Sequence, residues 1–391
     1  MTDVATTFGE EKAGLKTTLL KAWQLQSQHR HNFSRSAPAR QQNGGGTIED
    51  NNADYCISIS GINVVVLSFL YSYGNGNTNP SETIGQSCFI STSGECRNRA
   101  SVASSISMCQ ANGIKVVFLS VEHLAHTLTL NAEAQSIANY RWESYENSGS
   151  TSVQRPFGTA FVNGFDFDVG VASGQTYYPA MITQLRTFFA EDPANQYYIT
   201  GAPQCPLPEP NIGVIVQSAQ FDYLFVQLYN NNAYAPGPCS LRLKGNAPNN
   251  YNAWVSFITN TPSSGAQIFL GVPAAPLAAN EAHRVEFYYV TPNELASLVA
   301  IYRNSHAFGG VMVAFPTPTL STTAYAQQAH TILLTGTPCG ASGLTTTTVL
   351  PIATHTVTPT GTATAPVGTG TPLPQWVRCG GEGYTGSTAC A

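Results

Sequence analysis

Seven short apolar runs recur along the chain, each followed by a loop rich in Gly, Pro or Asn and then by a helical stretch. They lie at residues 62–71, 114–120, 161–169, 196–200, 221–229, 267–272 and 310–315. The runs are almost continuously apolar rather than alternating, as strands of a parallel sheet buried on both faces must be. Between the last two, Thr291, Pro292 and Glu294 supply an N-cap, a first-turn proline and a capping-box carboxylate. Leu295, Leu298, Val299 and Tyr302 then follow at helical spacing. Strand–helix alternation from residue 47 to 334 predicts an α/β fold. Seven visible units, with one more expected before Ile62, predict a (β/α)8 barrel rather than an open sheet.

Composition narrows the function classes. The 391 residues carry 17 Lys and Arg against 22 Asp and Glu, a net charge of −5, with no basic stripe to follow a phosphate backbone. Nucleic acid is therefore not an expected partner. No apolar run approaches the ~20 residues of a membrane span. The chain reads as a monomer that needs neither a metal nor an organic cofactor. Nine cysteines point to an oxidising compartment, and their odd number leaves at least one without a partner in the chain. Asp3, Glu10 and Glu11 stand where a signal peptide has a positive start and an apolar core, so no signal peptide is read here.

Four segments are expected. Residues 1–45 are polar and irregular, with a basic patch at Gln28–His31. Residues 46–335 form the barrel. Residues 336–374 form a Thr/Pro/Gly-rich linker, and 12 of the 28 residues from Thr345 to Pro372 are threonine. Such a stretch buries no core and reads as an extended, O-glycosylated spacer. Residues 375–391 would start a second module.

The segment Asn163-Gly164-Phe165-Asp166-Phe167-Asp168-Val169-Gly170 carries the strongest chemical signal. Alternation along a strand puts Asp166 and Asp168 on one face, at the strand end where barrel active sites lie. Read alone, the pattern fits a functional carboxylate pair and a solvated strand end about equally well.

This segment resembles the Asp-Gly-x-Asp-x-Asp-x-Glu signature of glycoside hydrolase family 18, closest to the class III chitinases of plants and fungi. Further matching segments are GQSC at Gly85–Cys88, MCQANGIKV from Met108, APQCPLPEP from Ala202, VQLYNN from Val226, FLGVPAAP from Phe269 and FGGVM from Phe308. The resemblance implies hydrolysis of β-1,4-linked N-acetylglucosamine in which the substrate's own acetamido oxygen attacks the anomeric carbon. It gives Asp168 the role of orienting the acetamido group, and Asp166 that of tuning Asp168 through a shared proton. Tyr229 would donate a hydrogen bond to the same group, and Gln204, Gln227 and Asn230 would bind sugar. It also implies the disulfides Cys56–Cys109, Cys88–Cys96 and Cys205–Cys239, leaving Cys339, Cys379 and Cys390 over. Gln42-Asn43-Gly44 resembles the loop after the family's first strand, which places a degenerate first strand at residues 34–40. Residues 375–386 resemble the opening of a fungal family 1 carbohydrate-binding module. The chain ends about halfway through that module, leaving Trp376 as a lone stacking residue.

The sequence departs from the family at the positions that matter most. The general-acid glutamate is Gly170, the motif's first Asp is Asn163, and the tryptophan under the sugar at the last strand is Ala314. Glu122 and His123 replace two glycines after the third strand. General acid catalysis is worth ~10²–10⁴-fold. The expected function is thus a weakly active or inactive chitin-binding homologue, extracellular by its cysteines, linker and family. The alternatives are an active endochitinase with its acid relocated to Glu122, or a degenerate gene copy without a selected role.

Overall fold

The computed structural model describes residues 17–22, 62–74, 77–84, 88–90, 96, 99–121, 128–231, 238–243, 247–276, 288–315 and 320–339. Within them, eight parallel strands close into a ring. In ring order these are β1 (Thr17–Ala22), β2 (Val64–Gly74), β5 (Lys115–Val121), β6 (Gly164–Asp168), β7 (Tyr198–Gly201), β8 (Tyr223–Gln227), β9 (Gln267–Pro273) and β10 (Phe308–Phe315). A short antiparallel excursion, β3 (Asn77–Ile84) and β4 (Cys88–Ile90), hangs from β2. Seven helices accompany the ring: α1 (Arg99–Ala111), α2 (Asn131–Tyr145), α3 (Tyr178–Glu191), α4 (Gly213–Ser218), α5 (Tyr251–Ile258), α6 (Pro292–Tyr302) and α7 (Leu320–Thr335). All seven apolar runs of the sequence become strands of the barrel. The capping box of α6 forms as expected, and its apolar stripe is buried.

The eighth strand is present but elsewhere than expected. Thr17–Ala22, not residues 34–40, occupies the place between β10 and β2, paired in parallel with both. Thr17, Thr18, Leu19 and Leu20 are β-branched or apolar, and every residue of the strand has an N–H for the ladder. Residues 34–40, which lie outside the described residues, contain Pro38, and proline cannot donate within a strand paired on both sides. The residues from 340 on, with most of the linker, Trp376, Cys379 and Cys390 among them, also lie outside the described residues.

Each strand sends alternate side chains to two different cores. Val65 and Leu67, Leu224 and Val226, and Val311 and Val313 pack in the large cluster between sheet and helices. Val64, Val66, Phe225, Met312 and Ala314 pack in a smaller cluster inside the ring. On β6, Phe165 and Phe167 belong to the outer cluster. The same alternation turns Asp166 and Asp168 inward.

The end of the barrel where strands begin holds a buried ionisable group. Glu146 follows α2, is fully buried, and neither carboxylate oxygen has a hydrogen-bond partner among the described residues. Arg155 donates to the backbone carbonyls of Glu143 (2.6 Å) and Glu146 (2.5 Å) rather than to this carboxylate. Burial raises the Glu146 carboxyl well above 4.5, outweighing the attraction of Arg155 and Arg141. The folded state therefore holds a proton that the unfolded chain releases near 4.5. Its stability is full below that pH and is lost as pH rises towards the folded value. Glu146→Gln should gain stability relative to the native chain as pH rises above 4.5, with the difference vanishing at lower pH. Urea unfolding across that range measures it, and a pH-independent difference would contradict the assignment.

Candidate functional site

The inward carboxylates of β6 each meet a side chain from a neighbouring strand. Asp166 is opposite Thr200 of β7 in the ladder, and its Oδ1 accepts a hydrogen bond from the Thr200 hydroxyl. Both side chains are wholly buried. Asp168, one layer nearer the strand ends, is 9 % exposed. Its Oδ1 accepts from Gln227 Nε2 at 3.0 Å, and the same amide nitrogen donates to the Ala202 carbonyl at 2.8 Å. Gln227 ends β8 and makes an isolated parallel bridge to Gln204, whose side chain is exposed. Three of the expected residues, Asp168, Gln227 and Gln204, thus converge where β6, β7 and β8 end.

Tyr229 lies two residues beyond β8 and is 3 % exposed. Its hydroxyl has no hydrogen-bond partner among the described residues. Burial raises its pKa well above 10, and the charge of Asp168 raises it further. The phenol therefore keeps its proton and remains a donor. A buried, unanswered hydroxyl costs about 1–3 kcal/mol, which an incoming acceptor would relieve. Asn230 turns the chain there with a left-handed φ of 56°.

Two supporting residues are not singled out by the sequence. The Asn231 side-chain amide sits against the carbonyls of Gln227 (2.6 Å) and Tyr229 (2.9 Å) and against Cys205 Sγ (3.1 Å). Glu209 Oε2 accepts from the backbone N–H groups of Asn211, Ile212 and Gly213, and its Oε1 from that of Gln204 at 3.2 Å. The repeated Asn of VQLYNN and the acid closing APQCPLPEP were the available signals. Neither side chain announces by type that it will bind backbone.

Gly170 lies beyond the end of β6 and offers no proton. Ala314 is buried on β10 inside the ring. Asn163 precedes β6 at the opposite end of the strand, where its Oδ1 accepts from Gln110 Nε2 of α1 at 3.1 Å. It braces helix against strand, about 10 Å of extended chain from Asp166. Glu122 and His123 lie outside the described residues. Among the described residues, no three His, Cys, Asp or Glu side chains gather into a metal-binding group. No helix among them is long and apolar enough to cross a membrane.

Cys205 and Cys239 are joined, with Cα atoms 6.0 Å apart. Cys96 and Cys109 each take part in a disulfide, while Cys339 is a half-buried free thiol. Cys56 lies outside the described residues.

No protein-family model matches the chain. It is 50 % identical over 374 residues to Endochitinase 2 of Metarhizium robertsii, covering 91 % of this chain and 89 % of that protein. It is 35 % identical over 275 residues to an acidic endochitinase of Cicer arietinum, covering 70 % and 83 %. The fold matches the crystal structure of the ICChI chitinase from Ipomoea carnea with a TM-score of 0.59, at 24 % identity, over 82 % of this chain and 98 % of that one.

Removing the bridge behind the site should be costly. For a separation of 34 residues the chain-entropy model gives roughly 3–4 kcal/mol. Replacing Cys205 and Cys239 together by Ala is expected to lower the thermal midpoint accordingly. Peptide mapping of non-reduced protein should find Cys56–Cys109 and Cys88–Cys96 as the other two pairs, and a different pairing would count against the assignment.

Proposed function

This chain belongs to the glycoside hydrolase family 18 chitinases, and on that premise we propose that it binds chitin in an oxidising, extracellular setting but hydrolyses it poorly or not at all. The observation that supports the binding half is the Tyr229 hydroxyl, buried beside Asp168 and without a hydrogen-bond partner among the described residues. A donor and a carboxylate acceptor side by side match the carbonyl and N–H of an acetamido group. Gln227 fixes Asp168 from one side, and Gln204 and Asn230 contribute polar groups at the rim.

The catalytic half fails for lack of a proton donor. The acetamido oxygen can displace the leaving group only if the glycosidic oxygen is protonated as the bond breaks. Gly170 stands where the family holds that acid. Asp166 is turned into the barrel and bonded to Thr200, two residues of strand below Asp168. Its role is to tune Asp168 from beneath. Trp376 would add a lone stacking residue for the polymer surface.

Calorimetric titration with the chitin tetrasaccharide should show binding, while a chromogenic chitobioside should show no turnover. Tyr229→Phe should weaken binding by roughly 2–10-fold, the worth of one hydrogen bond. Substantial turnover with a bell-shaped pH profile, abolished by Glu122→Gln, would overturn the reading and establish the relocated acid. Absence of both binding and turnover would leave a gene copy without this role.

Restoring the acid alone should recover little. Gly170→Glu returns a carboxyl, but members of one catalytic unit are not additive, and no aromatic floor holds the sugar over Ala314. We expect less than about 10-fold gain in kcat/KM, against the ~10²–10⁴-fold that general acid catalysis can supply. A gain in the upper part of that range would show the floor to be dispensable.

A further inference from the structure

Tyr288 enters the barrel from outside it. The residue lies between β9 and α6, yet its side chain is only 3 % exposed and packs with Tyr229, Ala314, Phe269 and Met312 in the cluster inside the ring. Its hydroxyl donates to the Asn231 carbonyl at 2.7 Å, which ties it to the turn that carries Tyr229 and Asn230. Two residues on, the Val290 carbonyl accepts from the Tyr325 hydroxyl of α7 at 2.9 Å. The segment is thus held from the inside at 288 and from the outside at 290. In the same cluster, Ala314 of β10 offers a single methyl group and is itself buried, at 4 % exposure. A close-packed interior leaves no vacancy beside so small a side chain, so something larger must fill the space above it.

We propose that Tyr288 takes up the volume that Ala314 leaves: it fills the space that an aromatic floor at 314 would need, and it sets the inner wall of the sugar site. The functional half rests on the chitin-binding reading above; the packing half does not. Tyr288 acts as a positioning and specificity-determining residue. Its ring backs Tyr229 and its hydroxyl pins the turn, so the acetamido group is held by hydrogen bonds while the sugar face lacks a ring to stack on.

The test is a double-mutant cycle in the full chain, with Tyr288→Ala, Ala314→Trp and the two together. Thermal unfolding and titration with the chitin tetrasaccharide are read on each. Ala314→Trp alone should lower the midpoint by about 5 °C through overpacking. The same tryptophan introduced into the Tyr288→Ala background should cost less than half as much. The double variant should bind the tetrasaccharide roughly 5-fold more tightly than Tyr288→Ala, because stacking returns. An equal thermal cost of tryptophan in both backgrounds would overturn the proposal. If Ala314→Trp fails to fold, Ala314→Leu runs the same cycle with a smaller side chain. A native chain that does not bind the tetrasaccharide would refute the chitin-binding reading, and with it the functional half, while the thermal cycle still decides the packing half.

Discussion

Closure of the ring is the constraint on which the other features depend. β1 pairs with β10 on one side and β2 on the other, so neither of those strands is left with an open edge. Closure also divides every strand into an inner and an outer face. The outer face is long and apolar and packs on helices. The inner face is narrow, and near the strand ends it must accommodate carboxylates beside phenylalanine and alanine. Asp166 and Asp168 are tolerated there because Thr200 and Gln227 answer them from the adjacent strands.

Much of this was legible in the sequence. Seven apolar runs marked seven strands, and the spacing of Thr291, Pro292 and Glu294 marked the start of α6. The carboxylate pair was visible because the strand period is two. What escaped detection depended on local backbone geometry or on partners far away in the chain. β1 is short and ordinary in composition, and only its fit between β10 and β2 distinguishes it. Tyr288 acts through the backbone of Asn231, far away in the chain, while Asn231 and Glu209 bind backbone groups of their own turns, and no apolar or charge pattern encodes either. Asn163 misled in the opposite direction. It belongs to a catalytic signature by position, but its amide faces Gln110 and the end of the barrel away from the chemistry.

The distribution of losses follows the same geometry. Gly170 sits past the end of β6, outside both cores. The aspartates two and four residues earlier are wedged between strands, and removing either would cost Thr200 or Gln227 one hydrogen bond. On the reading proposed above, the carboxylates serve the barrel's own hydrogen bonding as well as the site, whereas the position of the missing acid stands apart from both.

The contact between the Asn231 amide and Cys205 Sγ ties the turn bearing Tyr229 to a covalent bridge. The sulfur it leans on is joined to Cys239, 34 residues along the chain. Breaking that bridge would therefore be felt at the turn directly, although the Gln227 and Tyr229 carbonyls and the Tyr288 hydroxyl also hold Asn231.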